Sequence, residues 1–217
     1  MKRIISLLLI LSGILSAMGE EITLVYNENS DNAHQISFRT LTDAPGEVEV
    51  SGLSFLYNIV DEVRIPETVD IDGKTYTVTQ TASNFLIREG GMKKLIIPQT
   101  FTKILSSPAM PDLESVIIEN APIEEIRDFA FDNCKKLTTF DFGNACKLKE
   151  LGICLFRGCE SLKQITIPES IEILGDWAFS GCTSLKSIVI PQGVTSIVNA
   201  FTNCTSLESV EFKGEMI

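Results

Sequence analysis

The sequence predicts a solenoid, a stack of short coils wound around one continuous core, and two observations lead to this class. The first is a repeat: the pattern of residues 162–184 recurs in residues 185–206, and a third copy begins at Leu207. The second is the unit length, because the later units start only 21 to 25 residues apart. A unit this short cannot bury its own apolar side chains, so neighbouring units must cover one another.

Each unit begins with a predicted β-strand. Apolar residues take its first, fourth and sixth positions, as Leu162, Ile165 and Ile167 do, and the last two alternate with the period of a strand. Because neighbouring strands lie about 4.8 Å apart, seven such segments predict one parallel sheet roughly 30 Å long. The segments start at Val60, Met92, Leu113, Leu137, Leu162, Leu185 and Leu207.

The rest of each unit contains a second apolar pair and a closing turn. Pro168 follows the strand and ends it, because proline has no N–H to donate to a ladder. The pair Ile171 and Leu174 comes next, followed by Ala178-Phe179-Ser-Gly-Cys182. This last stretch is too short for a regular α-helix, so we expect a tight turn or a short helical segment.

The first 19 residues have the features of a secretory signal peptide. Lys2 and Arg3 precede the apolar run Ile4 to Leu15, and small Ala17 lies before the expected cleavage after Gly19. The run is shorter than the roughly 20 residues of a membrane span. We therefore expect an exported protein, extracellular, at the cell surface or in the periplasm, with no direct membrane insertion after cleavage.

The charge of the chain excludes some classes of partner. The formal net charge is −11, and removing residues 1–19, which carry two basic residues and no acidic one, changes it to −13. Such a chain is repelled by phosphate backbones and anionic lipids. Nucleic acid and bare membrane are therefore not expected partners.

The mature chain is expected to divide into a cap and an array. Residues 20–59 do not follow the repeat, but they contain short alternating stretches, which predict a β-rich N-terminal cap. Residues 60–217 form the predicted repeat array. An insertion at residues 69–78 contains Asp72-Gly73 between alternating apolar residues, which is a strong hairpin signal.

The repeated string Ile-x-Ile-Pro, followed by Ala-Phe-x-x-Cys-x-x-Leu, resembles the BspA-type leucine-rich repeat of bacterial surface and secreted proteins. The resemblance covers Val60 to Phe212, includes the hairpin from Ile65 to Thr79, and is weakest between Met92 and Asp112. It implies a leucine-rich-repeat solenoid, a right-handed superhelix used for protein recognition or adhesion. No catalytic residue belongs to the family motif, so the resemblance implies none here.

Six cysteines in an exported chain raise the question of disulfides. Four of them, Cys134, Cys159, Cys182 and Cys204, share one repeat position, where side chains on adjacent strands lie about 4.8 Å apart, beyond the Cβ separation of roughly 3.5–4.5 Å that a disulfide needs. We therefore expect these four to be buried free thiols. Cys146 and Cys154 lie outside this register, and they could pair or remain free.

The chain shows no pattern for a metal, a cofactor or catalysis. It has no Cys-x-x-Cys pair and a single histidine, His34, whereas zinc sites need several such ligands. We expect His34 to be a surface residue of the cap. No nucleophile, base and oxyanion donors converge in the pattern, so we expect no catalytic residue, no bound metal and no cofactor.

The outward face of the predicted sheet is the expected partner site. Ile96 and Ile117 fall at the same outward position on adjacent strands, and a contiguous apolar pair at the surface is typical of an interaction site. The alternatives are that β-branched residues simply favour strands, or that the cap covers the pair. With their neighbours they form the predicted site: Ile96, Ile117, Lys94, Ser115, Thr139, Asp141, Gln164 and Thr166.

These expectations combine into one functional interpretation. We expect an exported, non-enzymatic protein that recognises a protein partner through the sheet surface, as an adhesin would. The alternative is a structural component of the cell envelope without a dedicated ligand. The array ends within a unit at Ile217, so oligomerisation through an open C-terminal end is also possible.

Overall fold

The structure, a computed structural model, describes residues 21–26, 34–55, 59–88, 91–105 and 110–214. These ranges contain sixteen β-strands and no α-helix. The strands are β1 (Glu21–Tyr26), β2 (His34–Thr40), β3 (Glu47–Phe55), β4 (Ile59–Arg64), β5 (Thr68–Ile71), β6 (Lys74–Arg88), β7 (Gly91–Ile97), β8 (Lys103–Ile104), β9 (Ser115–Ile118), β10 (Glu125–Ile126), β11 (Thr139–Asp141), β12 (Glu150–Leu151), β13 (Ile173–Leu174), β14 (Ser187–Ile190), β15 (Ser196–Ile197) and β16 (Ser209–Phe212).

The principal sheet follows the predicted strands. β4, β7, β9 and β11 pair in parallel, with Val63, Leu95 and Val116 aligned, and β14 pairs in parallel with β16 further along the chain. We call each repeat unit a rung. In the first six rungs the first, fourth and sixth positions are all buried, which confirms their predicted inward direction. Residues 162–167, between β11 and β14, keep the buried positions without ladder pairing.

A second parallel ladder lies on another side of each rung. β6, β8 and β10 pair in parallel, and so do β12, β13 and β15. The sequence predicts only one sheet, because two-residue strands show no alternation of their own. The apolar pairs of successive rungs nevertheless stack in register, as Leu174 does on Ile197.

The turn segments are joined from rung to rung as well. The N–H of Phe156 donates to the carbonyl oxygen of Ala178 at 2.7 Å, and that of Phe179 donates to Ala200 at 2.9 Å. The rings of Phe131, Phe156, Phe179 and Phe201 form a column with centroid separations of 5.9, 5.4 and 5.6 Å. The described part of this region contains turns and no helix, so the tight turn is the form that the closing segment takes.

The N-terminal strands extend the second ladder. β1, β2 and β3 pair antiparallel, and β3 then pairs in parallel with β6, so the sheet order is β1-β2-β3-β6-β8-β10. Alternating residues of β2 and β3, such as Ile36, Phe38 and Val50, are buried in the common core. β5 and β6 form a hairpin in which Asp72 and Gly73 have φ of 50° and 77°, as a type I′ turn requires.

Two parts of the chain bear on the predictions of export and assembly. The predicted signal peptide, residues 1–19, lies outside the described residues. Within the described ranges, the chain has no helix of the length and apolarity needed to cross a membrane. In the last rung, Val210 and Phe212 occupy inward positions and are exposed.

Candidate functional site

The candidate site is the outward surface of the principal sheet, formed by the third and fifth positions of each strand segment. We call this surface the sheet face. Neighbouring strands place equivalent positions beside one another, so each position forms a column along the stack. The third-position column contains Glu62, Lys94, Ser115, Thr139, Gln164, Ser187 and Ser209, and the fifth-position column contains Arg64, Ile96, Ile117, Asp141, Thr166, Val189 and Glu211.

The charged side chains of the N-terminal part of the sheet face form ion pairs. Lys94 lies 2.9 Å from Glu62 on the adjacent strand, and beside this pair Lys93 lies 2.7 Å from Asp61. The hydrogen bond that the Lys93 ammonium donates to Asp61 is the main cause of the raised pKa of Lys93. Exposed pairs of this kind contribute little to stability, because water and salt screen them. They do occupy the charges that a partner would otherwise use.

Ile96 is the main correction to the predicted site. Its side chain points outward, but only 2 % of it is exposed. Ile96 lies in register between Arg64 and Ile117, and the Arg64 guanidinium passes over this rung to reach Glu119 at 2.6 Å. The hydrogen bond to Glu119 also raises the pKa of Arg64. The expected apolar pair is therefore not an exposed patch, since Ile96 is covered and Ile117 is half-buried.

The remaining predicted residues lie further along the sheet face. Ser115 is half-buried, and Thr139, Asp141, Gln164 and Thr166 are exposed. Asp141 accepts a hydrogen bond from the N–H of Gly143 at 2.9 Å.

From Ser115 onward the third-position column consists only of uncharged polar side chains: Ser115, Thr139, Gln164, Ser187 and Ser209. We call these five residues the polar strip. Within the described part of the chain none of the five forms a side-chain hydrogen bond or an ion pair. Val189, which is exposed, lies beside the strip in the fifth-position column. Sequence reasoning omitted Ser187, Val189 and Ser209, although their positions in the repeat were sufficient to include them.

The cysteine column is part of the core and not of the sheet face. All six cysteines are free thiols, so the structure does not join Cys146 to Cys154. The Cys159 and Cys182 thiols donate to the carbonyl oxygens of Phe131 and Phe156 at 3.3 and 3.2 Å. Burial raises the pKa of these thiols, and that of Cys134 is raised to about 11, which makes them poor nucleophiles and metal ligands.

The described residues also offer little to a metal ion. They contain no cluster of three or more His, Cys, Asp and Glu side chains that could bind one. His34 is buried in β2 with its ring 6.4 Å from that of Phe55. The expectation of a surface histidine is therefore wrong, because the alternation of β2 directs this side chain into the cap.

Comparison with known proteins identifies the repeat. The family described as "BspA type Leucine rich repeat region" matches residues 109–217 as six copies. The chain belongs to the BspA-type leucine-rich repeat family. Leucine-rich repeat proteins are generally binding proteins, and no catalytic family is indicated for this chain. None of the curated proteins matches this BspA-type chain.

Two solved structures are similar to this chain in fold. A leucine-rich repeat protein from Bacteroides ovatus is 32% identical, with a TM-score of 0.55; the match covers 86% of this chain and 41% of that one. The present chain therefore spans less than half of that protein. The T. pallidum leucine-rich repeat protein is 21% identical with a TM-score of 0.62, and the match covers 81% of this chain and 78% of that one. The predicted solenoid fold is confirmed.

Proposed function

We propose that this protein is exported and binds another protein through the part of the sheet face that follows the N-terminal ion pairs. The observation that carries the proposal is the polar strip, whose exposed members have hydrogen-bonding capacity that no described residue uses. Water satisfies such groups in the free protein. A partner that supplies matching donors and acceptors can replace this water without leaving a buried polar group unpaired.

The composition of this region also suits recognition. Serine and threonine side chains lose little conformational entropy when they become ordered, and Val189 adds apolar surface beside them. The five strand segments of the polar strip are about 4.8 Å apart and extend roughly 20 Å along the stack, which suits part of a standard interface that buries about 800 Å² on each partner. Thr139, Gln164 and Thr166 lie in the middle of this region, where binding energy usually concentrates.

A double substitution on the sheet face tests the proposal. Gln164→Arg with Thr166→Arg places two bulky charges at exposed positions, so folding should be retained while a docked partner is displaced. The mature protein is immobilised and exposed to surface extracts of its host and of cells that contact the host. Proteins retained by the wild type are identified by mass spectrometry and measured again with the variant.

The matched control is Thr195→Arg with Thr205→Arg, which adds the same charge at two exposed positions away from the sheet face. We expect the sheet variant to lose at least tenfold in affinity for a captured protein and the control to keep it. Equal retention by both variants would refute the sheet face as the site. If no protein is captured specifically, the result favours the alternative, a structural component of the envelope.

The export part of the proposal has its own test. Lys2, Arg3 and the apolar run after them motivate it. Mass spectrometry of the protein from its host should find a mature N-terminus near Glu20. An intact Met1 in the cytosolic fraction would contradict export.

A further inference from the structure

A groove opens where the second ladder is interrupted. β10 and β12 are not hydrogen-bonded to each other, although β8–β10 and β12–β13 are paired on either side. The connection before β12, from Phe142 to Leu148, is two residues longer than the corresponding one from Ile167 to Ile171. The groove has a volume of about 730 Å³ and lies between residues 124–129 of one rung and 148–153 of the next. This volume is in the range of roughly 300–1,000 Å³ that is typical of binding sites.

One wall of the groove is apolar and exposed. Phe129 is 47% exposed and Ile153 is 39% exposed, and both line the groove. Phe129 has a φ of 61°, and the equivalent residues Cys154, Trp177 and Asn199 of the next rungs have φ of 53°, 55° and 51°, so this left-handed conformation belongs to the turn of the repeat. The guanidinium carbon of Arg157 lies 5.5 Å from the centroid of the Phe129 ring, so this ring already contacts one cation.

The cations that line the groove already have carboxylate partners. Lys149 lies 2.6 Å from Glu172, which belongs to the following rung and lies outside the groove. Arg127 lies 3.4 Å from Glu125. Neither cation is therefore available to an anionic ligand without breaking an existing pair.

Two carboxylates in the lining lack such a partner. Asp128 accepts the N–H of Ile153 at 2.7 Å through one oxygen, and it makes no ion pair with any described residue. Glu150 is exposed on β12 and likewise makes no ion pair within the described ranges. The groove thus combines an apolar wall with uncompensated negative charge, on a chain whose formal net charge is −11.

We propose that this groove binds a peptide segment of a partner protein in which lysine or arginine alternates with apolar residues. The apolar side chains would pack on Phe129 and Ile153, and the cations would pair with Asp128 and Glu150. Charge complementarity selects this occupant over acidic peptides, because opposite potentials attract and like charges repel. The groove lies on a different side of each rung from the sheet face, so the two sites are tested separately.

The test uses two fluorescein-labelled octapeptides, one of alternating Lys and Leu and one of alternating Glu and Leu. Fluorescence anisotropy is measured with the wild-type protein at physiological salt. We expect saturable binding of the Lys/Leu peptide only. Glu150→Lys should weaken this binding at least tenfold, and Phe129→Ser should weaken it at least fivefold.

Each variant has a matched control with the same chemistry elsewhere. Glu208→Lys changes the net charge equally at an exposed carboxylate outside the groove, and Trp177→Ser removes an exposed aromatic side chain that also has a left-handed backbone and does not line the groove. Both should bind within twofold of the wild type, and circular dichroism and melting should show that all four variants are folded.

Several outcomes would overturn the proposal. They are no saturable binding of the Lys/Leu peptide, equal binding of both peptides, or equal weakening by Glu150→Lys and Glu208→Lys. A concentration-dependent dimer that Glu150→Lys dissociates would identify a second copy as the occupant and would also overturn it. Retained binding by the sheet-face variant Gln164→Arg with Thr166→Arg is expected, and this separates the groove from the proposed function.

Discussion

Replacing Phe179 with alanine tests whether the aromatic column holds the turn segments together. The ring is fully buried and lies 5.4 Å from Phe156 and 5.6 Å from Phe201, with interplanar angles of 14° and 8°. Removing a buried phenylalanine ring costs about 3–5 kcal/mol, because apolar burial is lost and a cavity remains. Two aromatic neighbours are lost as well, and each pair contributes about 0.5–1.5 kcal/mol. The two contributions overlap, because the cost of deleting a buried ring already includes lost contacts, so we expect the free energy of unfolding to fall by an amount in the upper half of that range, about 4–5 kcal/mol.

Phe201→Ala is the internal comparison. This ring is only half-buried and has one neighbour in the column, Phe179, so we expect a loss of about 2 kcal/mol. Urea unfolding would be followed by circular dichroism and by the fluorescence of Trp177, the single tryptophan. Coincident transitions would show that two-state free energies apply. Equal losses in the two variants, or a loss below about 2 kcal/mol for Phe179→Ala, would refute the reasoning.

Four further predictions concern the thiols, a close contact and the exposed apolar residues Val210 and Phe212. Burial raises the pKa of Cys134 to about 11, above its ordinary value of 9.0. As the pH rises, this thiol therefore ionises in the unfolded chain before it ionises in the folded protein. The free energy of unfolding should decrease between pH 9 and 11, and the decrease should be smaller in Cys134→Ala. Thiol reagents at pH 8 should modify Cys159 only after denaturation, and labelling of the native protein would contradict its burial. A Cβ at Gly175 would lie 2.6 Å from a backbone oxygen of the preceding rung, so Gly175→Ala should lower stability by about 1–3 kcal/mol, measured as the shift in the urea midpoint. If the exposed side chains of Val210 and Phe212 mediate self-association, sedimentation should show concentration-dependent oligomers that Val210→Lys with Phe212→Lys abolishes, whereas a monomeric wild type would count against it.

The inward positions could be predicted because each rung repeats the same local pattern. Ile165 and Ile167 alternate like the residues of a strand, and only one side of a stacked strand can face the core. The second ladder had no such signal, because Ile173 and Leu174 form a strand only through the rungs on either side of them. Pairing between units is a tertiary effect, so it cannot be predicted from local strand propensity.

Which residues of the candidate site are exposed depends on contacts between residues that are distant in sequence. Position in the repeat gave the direction of Ile96 correctly, but its burial involves Arg64 and Glu119, which are 55 residues apart in sequence. The left-handed conformation of Phe129 recurs at Trp177 and at Asn199, and among these residue types only asparagine is enriched at positive φ. The groove depends on the missing pairing between β10 and β12, which is a tertiary feature, so no motif indicated it.

The bonding of each turn segment to the next rung determines how the molecule should respond to mechanical force. Most hydrogen bonds between rungs join immediate neighbours, as Phe156 does with Ala178, and few contacts such as the Lys213–Glu169 ion pair reach further. A force applied along the axis of the stack would therefore load one interface at a time and detach rungs in sequence from an end. Each detached unit of roughly 23 residues would lengthen the tether by about 75–80 Å. In a protein held between two surfaces, this stepwise extension would absorb mechanical work and lower the force on the attachments. A single cooperative unfolding event would leave the full force on them until it occurred.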